Sequence, residues 1–139
     1  MTIVDIMTPS NMAAHCSTAT TIREALHMIL ANPEKGAIVV VRDTDSFLDP
    51  VGIVTKTDLL KGYESQQGLD EPVTTIMGTS IETLPETATK DQAAEHFETT
   101  KHYNAFVMDH ANGRWVGLLT VLDVATDRAK DARAWPWNR

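Results

Sequence analysis

Gly52-Ile-Val-Thr-Lys-Thr-Asp58 and Gly117-Leu-Leu-Thr-Val-Leu-Asp123 carry one pattern, displaced by 65 positions (52 to 117). In each, a glycine and two branched apolar residues lead into Thr-x-x-Asp. The apolar stretch reads as a strand, and the Thr and Asp read as the start of a helix. Taken alone, Thr-x-x-Asp is a capping box, with the hydroxyl accepting from the third helical amide and the carboxylate reaching back. Two occurrences, each at the carboxyl end of a strand, add a second meaning. Backbone amides and the helix dipole there favour phosphate, and an Asp there can accept both hydroxyls of a ribose. Lys56 adds a positive charge beside the first motif.

Working outward, the whole chain repeats. Ile6-Met7 recurs as Ile76-Met77, a shift of 70 (6 to 76). Ala19-Thr20, Ala25 and His27 recur as Ala88-Thr89, Ala94 and His96, a shift of 69 (19 to 88). Ala37 and Val39 recur as Ala105 and Val107, a shift of 68 (37 to 105). The matches keep their order, and the shift shrinks only where loops belong. Two copies of one supersecondary unit follow.

The first copy reads as a helix from Ile22 stopped by Asn32-Pro33, with Ser17, Thr18, Thr20 and Thr21 as cap candidates. A buried strand over Ala37–Val41 follows. Arg42 to Pro50 is a turn, Val51–Val54 a second strand, and a helix opens at Thr55. The second copy gives a helix over Thr89–Thr99, strands over Ala105–Met108 and Trp115–Leu119, and a helix from Thr120 that ends by Trp135, before Pro136. Ile81–Leu84 is a further short strand, with Met12–Cys16 its weaker counterpart. Gly62 to Thr75 reads as a polar linker. The fold class is α/β, two β-α-β-β-α repeats, with repeat boundaries at 1–66 and 67–139.

Composition narrows the function classes. The chain has 139 residues, 12 basic against 19 acidic, and a net charge of −7. Nucleic-acid binding is not expected of so acidic a domain. Cys16 is the only cysteine, which excludes internal disulfides and cysteine-rich zinc sites. No apolar run approaches a membrane span, and no secretory leader is evident, so a soluble chain in the cytoplasm or an organelle lumen is expected. The five histidines lack the spacing of a helical metal pair, and no metal site is expected from them. Asp43-Thr-Asp45 reads as a solvated turn rather than a calcium loop. Cys16 has no base beside it to make a nucleophile.

The paired Gly-x-x-Thr-x-x-Asp motifs, preceded by Asp5-Ile-Met-Thr-Pro9 and set in this element order, resemble a CBS domain pair (the Bateman module). The resemblance covers Val4 to Asp131. It implies two repeats packed as a pseudo-two-fold pair, with clefts between them that take AMP, ADP or ATP, and in some members S-adenosylmethionine. Carried over, one cleft joins Thr55, Lys56, Thr57 and Asp58 to Thr79, Ser80 and Ile81 and to His102, Tyr103, Asn104 and Ala105. The other joins Thr120 and Asp123 to Met12, Ala13 and Ala14 and to Lys35, Gly36 and Ala37. Ile53 and Leu118 are expected against the base. Val121 and Leu122 replace Lys56 and Thr57 in the second motif, which predicts weaker polyphosphate binding there.

The resulting expectation is a non-catalytic, energy-sensing module that binds an adenine nucleotide and modulates an unidentified protein partner, with neither a catalytic residue nor a catalytic cofactor. The alternative is a scaffold whose boxes only cap helices and whose clefts stay empty. Leu59, Leu60, Val121, Leu122, Val124 and Ala125 open the two post-motif helices, and not all of them can face a core of this size. A symmetric homodimer through those helices is expected. Trp115 is expected in the core, with Trp135 and Trp137 either clamped over it or covering a dimer surface.

Overall fold

A computed structural model describes residues 2–31, 36–43, 47–66 and 68–130. It contains two compact units, one built from Met1–Met12 with Glu82–Arg139 and the other from Ala13–Ile81.

The second of these holds strand β2 (His15–Ser17), helix α1 (Ile22–Ala31), strands β3 (Ala37–Asp43) and β4 (Leu48–Thr55), and helix α2 (Lys56–Glu64). β2 pairs parallel to β3 and β3 antiparallel to β4. The parallel pair requires a crossover, and α1 supplies it. Ile38, Val40, Val54, Ala25, Ile29 and Val73 form its core. Exposed positions alternate poorly along β3, where Ile38 to Val41 are all buried, as the unbroken apolar run requires.

The other unit repeats the plan with β5 (Glu82–Pro85), α3 (Lys90–Thr100), β6 (Asn104–Met108), β7 (Trp115–Thr120) and α4 (Val121–Lys130). Its sheet gains a fourth strand, β1 (Thr8–Pro9), antiparallel to β7. Ile3, Leu84, Phe97, Val107, Leu119 and Val124 centre its core. Trp115 is buried as expected, donating its indole N–H to the Gly117 carbonyl at 2.7 Å and meeting Phe106 edge-on. Trp135 and Trp137 lie outside the described residues.

The Ile-Met repeat has a structural cause. In each unit the segment after Ile-Met lies antiparallel along the strand that leads into Thr-x-x-Asp: Thr8 opposite Leu118, and Gly78 opposite Ile53. The motif glycines make room for it. A Cβ on Gly52 would stand 2.6 Å from Met77 Sδ and 2.9 Å from the Gly78 carbonyl. A Cβ on Gly117 would collide with Met7 Sδ in the same way. Each lead segment is thus latched to a sheet by a methionine over a glycine.

Several boundaries differ from the sequence reading, among them the end of β3, which runs on to Asp43 through Arg42. β4 starts at Leu48 rather than Val51, because the register slips between Val40 and Val41 and lets Pro50 join the strand. A bulge is where a residue without an N–H is tolerated. Helix α2 runs through Gly62, which is buried because Ile76 presses on it: a Cβ there would lie 3.0 Å from Ile76 Cγ2. Gly62 is a packing residue and not the start of a linker. The early strand is His15–Ser17 rather than Met12–Cys16. Asn32-Pro33, expected to stop α1, lies outside the described residues, as do Thr44 and Asp45 of the Asp43 turn.

Candidate functional site

Among the described residues, all four α-helices open on the same device. Thr21 and Glu24 bond reciprocally at α1, with distances of 3.0 and 3.2 Å. Thr89 and Gln92 do so at α3, at 2.9 and 3.1 Å. The two motif helices match them: Thr55 N–H donates to Asp58 Oδ2 at 2.9 Å and Asp58 N–H to Thr55 Oγ1 at 3.3 Å. At α4, Thr120 N–H donates to Asp123 Oδ2 at 2.8 Å and Asp123 N–H to Thr120 Oγ1 at 3.1 Å. Cap bonds therefore account for one oxygen of each motif Asp. Among the described residues, no hydrogen bond engages Oδ1 of either, and both carboxylates are half-buried.

Residue length separates the two kinds of start. A capping box is normally closed by Glu or Gln, as at α1 and α3. At α2 and α4 the shorter Asp closes it, each time directly after a strand. Around Thr55 the intervening side chains are Lys56 and Thr57, both exposed. Around Thr120 they are Val121 and Leu122, also exposed.

The residues expected at a site divide between the units. One unit holds Ala14, Gly36, Ala37, Ile53, Thr55, Lys56, Thr57, Asp58 and Ser80. There Ala37 stands opposite Thr55 in the ladder, Ala14 accepts from Val39 N–H, and Ser80 is exposed two residues beyond the Gly78 bridge to Ile53. The other unit holds Met12, His102, Tyr103, Asn104, Ala105, Leu118, Thr120 and Asp123. There Asn104 is opposite Thr120, Ala105 opposite Leu119, and Val121 N–H donates to the Tyr103 carbonyl at 2.9 Å. Ile53 and Leu118 are buried within their strands. Lys35 lies outside the described residues.

Two features near the sites were not visible in the sequence. Residues Asp58, Lys61, Gly62, Ser65, Thr75 and Ile76 line a small polar crevice of about 170 Å³. An apolar groove of about 330 Å³ runs between α3 and α4, with Phe97, Tyr103, Val121 and Val124 in its walls. Both arise from residues distant in sequence, and no local motif marks them. Elsewhere, the Thr21 amide and hydroxyl hold the Glu24 carboxyl below its ordinary value. Glu86 is also lowered: desolvation pushes it up, but hydrogen bonds from the His110 ring and amide outweigh that. Burial raises the Cys16 thiol, so the thiolate a nucleophile needs is disfavoured.

A family model for the CBS domain matches residues 3–65 and 73–129, and the chain belongs to that family. No curated protein matches it in sequence. Among solved structures, CBSX2 in complex with AMP is 24% identical over 94% of this chain and 97% of its own, with a TM-score of 0.75. The CBS domain of a bacterial CNNM/CorC family Mg2+ transporter in complex with ATP is 24% identical over 91% and 86%, at 0.76. The CBS-domain containing protein ATU1752 from Agrobacterium tumefaciens is 27% identical over 84% and 89%, at 0.69. Among the described residues no helix is long and apolar enough to cross a membrane.

Proposed function

We propose that this chain is a non-catalytic regulatory module that binds AMP, ADP or ATP through its Thr-x-x-Asp helix starts. Asp58 and Asp123 take the ribose hydroxyls on the carboxylate oxygen that the cap leaves unengaged. Helix N-terminal amides and, at the first motif, Lys56 and Thr57 receive phosphate. In the arrangement the resemblance implies, Asp58 works with Ser80 and His102–Ala105, and Asp123 with Met12, Ala14 and Lys35–Ala37. The single observation that carries the reading is the contrast among the four helix starts: Asp replaces Glu or Gln only where a strand delivers the helix. The AMP and ATP held by two similar structures support it.

A homodimer through the post-motif helices belongs to the same proposal. Leu60 and Tyr63 on α2 are 57% and 82% exposed, and Leu122 on α4 is 70% exposed. Where such side chains form one contiguous patch, they mark an association surface. Sedimentation at micromolar concentration should give twice the 15.3 kDa chain mass; a monomer with and without nucleotide contradicts it.

The scaffold reading has one observation in its favour, since the caps already employ the motif residues. A thermal-shift panel of AMP, ADP, ATP, S-adenosylmethionine and NAD separates the two. A ligand at one hundred times its Kd stabilises the fold by about 2.7 kcal/mol. An adenine nucleotide should raise Tm, and a flat panel favours the scaffold.

A further inference from the structure

The aromatic pair of Trp135-Pro-Trp137 has no place in the proposed nucleotide sites, and the helix pair just before it leaves an apolar groove open. Two ion pairs join the start of α3 to the end of α4, Lys90 to Asp127 at 3.1 Å and Asp91 to Arg128. The helices therefore run antiparallel, and the end of α3 lies beside the start of α4. At that end Ala94, Phe97, Tyr103, Val121, Val124 and Ala125 line a groove of about 330 Å³. Its small and β-branched side chains leave the space between the helices unfilled, and Tyr103 and Val121 are 72% and 39% exposed.

We propose that the segment following Lys130 turns back along α4 and seats Trp135 and Trp137 in this groove of its own chain. Residues 131–139 lie outside the described residues; reach, pattern and charge support the placement. At 1.5 Å per helical residue, Ala125 and Val121 lie about 7.5 and 13.5 Å behind Lys130. With two residues spent on the reversal, an extended chain carries Trp135 about 10 Å back and Trp137 about 17 Å. That range covers the groove. Residues two apart in an extended segment face the same way, and Pro136 holds Trp135 in the extended region, so both rings turn to the groove together. Each ring hides about 150–250 Å² when covered. The segment carries Arg133 and Arg139 against Asp131, a net +1 (two basic, one acidic) on a chain of −7, so the acidic remainder attracts it.

The first repeat sends the chain after its second helix elsewhere. There the carbonyls of Leu69 and Glu71 accept the Arg23 and Ile22 amides at the start of α1, at 2.9 and 3.0 Å. The matching place at α3 is already taken by the segment before β1: Thr2 bridges Thr89, and Ile3 N–H donates to the Ala88 carbonyl at 3.0 Å. The segment after α4 is left without that docking place, and the groove is an apolar surface within its reach.

The test follows acrylamide quenching of tryptophan fluorescence in the full chain, without nucleotide, so that its outcome is independent of nucleotide binding. The double variant Trp135→Phe/Trp137→Phe supplies the Trp115 baseline, and the difference reports the tail. The tail rings should be protected from quencher, and equally so on dilution. Ala125 is exposed on α4, so Ala125→Glu places a charge in the groove without touching the core, and it should abolish the protection. Thr126→Glu, exposed on the same helix but outside the groove lining, should keep it, with circular dichroism confirming both folds. The proposal is overturned if the tail rings of the parent quench like those of a free peptide of residues 131–139, if Ala125→Glu retains the protection, or if Thr126→Glu abolishes it too. Protection that falls with dilution also overturns it, because the groove is then filled by a second copy.

Discussion

Thr55–Asp58 and Thr120–Asp123 are built alike and surrounded differently. Both cap a helix that leaves a strand, both have amide and hydroxyl in reciprocal bonds, and both sit three residues beyond a glycine latched by a methionine. Between the Thr and Asp, however, one has Lys56-Thr57 and the other Val121-Leu122. Backbone geometry governs what is common, because a cap and a close strand approach tolerate few residues. The two intervening side chains are exposed and take no part in the cap or the strand approach. Under the proposed function that difference in charge makes the two motifs unequal toward phosphate.

The common part is the easiest to break. Gly52→Val and Gly117→Val each drive a branched side chain into a methionine sulfur and a carbonyl of the docked segment. Overpacking of this kind costs about 3 kcal/mol. Urea midpoints should fall by similar amounts in both variants; a large fall in only one would show that the latches are not equivalent.

Next come the caps. Thr55→Ala and Thr89→Ala each remove a hydroxyl acceptor and should cost about 1 kcal/mol of stability. Only Thr55→Ala should also weaken nucleotide binding in calorimetry. Equal binding by the two variants would leave the motif with no role beyond capping.

The unshared part should give a smaller effect. Exchanging Val121-Leu122 for Lys-Thr adds one exposed charge and a hydroxyl, worth about 0.2–1 kcal/mol, or a few-fold tighter ATP binding at the Asp123 motif with AMP little changed. The reverse exchange at Lys56-Thr57 should loosen ATP by a similar factor. No change in the ATP to AMP ratio in either variant removes the asymmetry.

The smallest effect concerns acid. Glu24 has a folded pKa below its ordinary 4.5, so its contribution is complete above that value and fades as pH falls through the lowered one. Glu24→Gln should therefore narrow the gap in urea midpoint between pH 6 and pH 3. An unchanged gap would show that the Thr21 bonds do not bias its titration.

Most of the fold was legible because the chain states it twice. The apolar run Ala37–Val41 and the Thr-x-x-Asp starts gave strands and helices that the structure bears out. The misread places are those where a distant residue overrules the local signal. Gly62 looked like a helix end and is instead pressed by Ile76, and Pro50 looked like a turn and is instead absorbed by a bulge. For the candidate site, the capping geometry was legible from spacing alone. The apolar groove between α3 and α4 was not, since residues distant in sequence line it.

The account rests on Asp58 and Asp123 doing more than capping, and calorimetry on Asp58→Asn, Asp123→Asn and the double variant tests that most directly. Asp58 and Asp123 close the box from the third helical position, where the Asn side-chain oxygen can still accept the Thr amide, so stability should fall only by the lost carboxylate–dipole interaction, about 0.3–1 kcal/mol. Each substitution removes a charge-assisted bond to ribose, worth about 1.5–3 kcal/mol, or about tenfold or more in affinity. The account predicts that each single variant loses one class of AMP or ATP site and the double variant loses both. Nucleotide binding by the double variant at the parent affinity would contradict it.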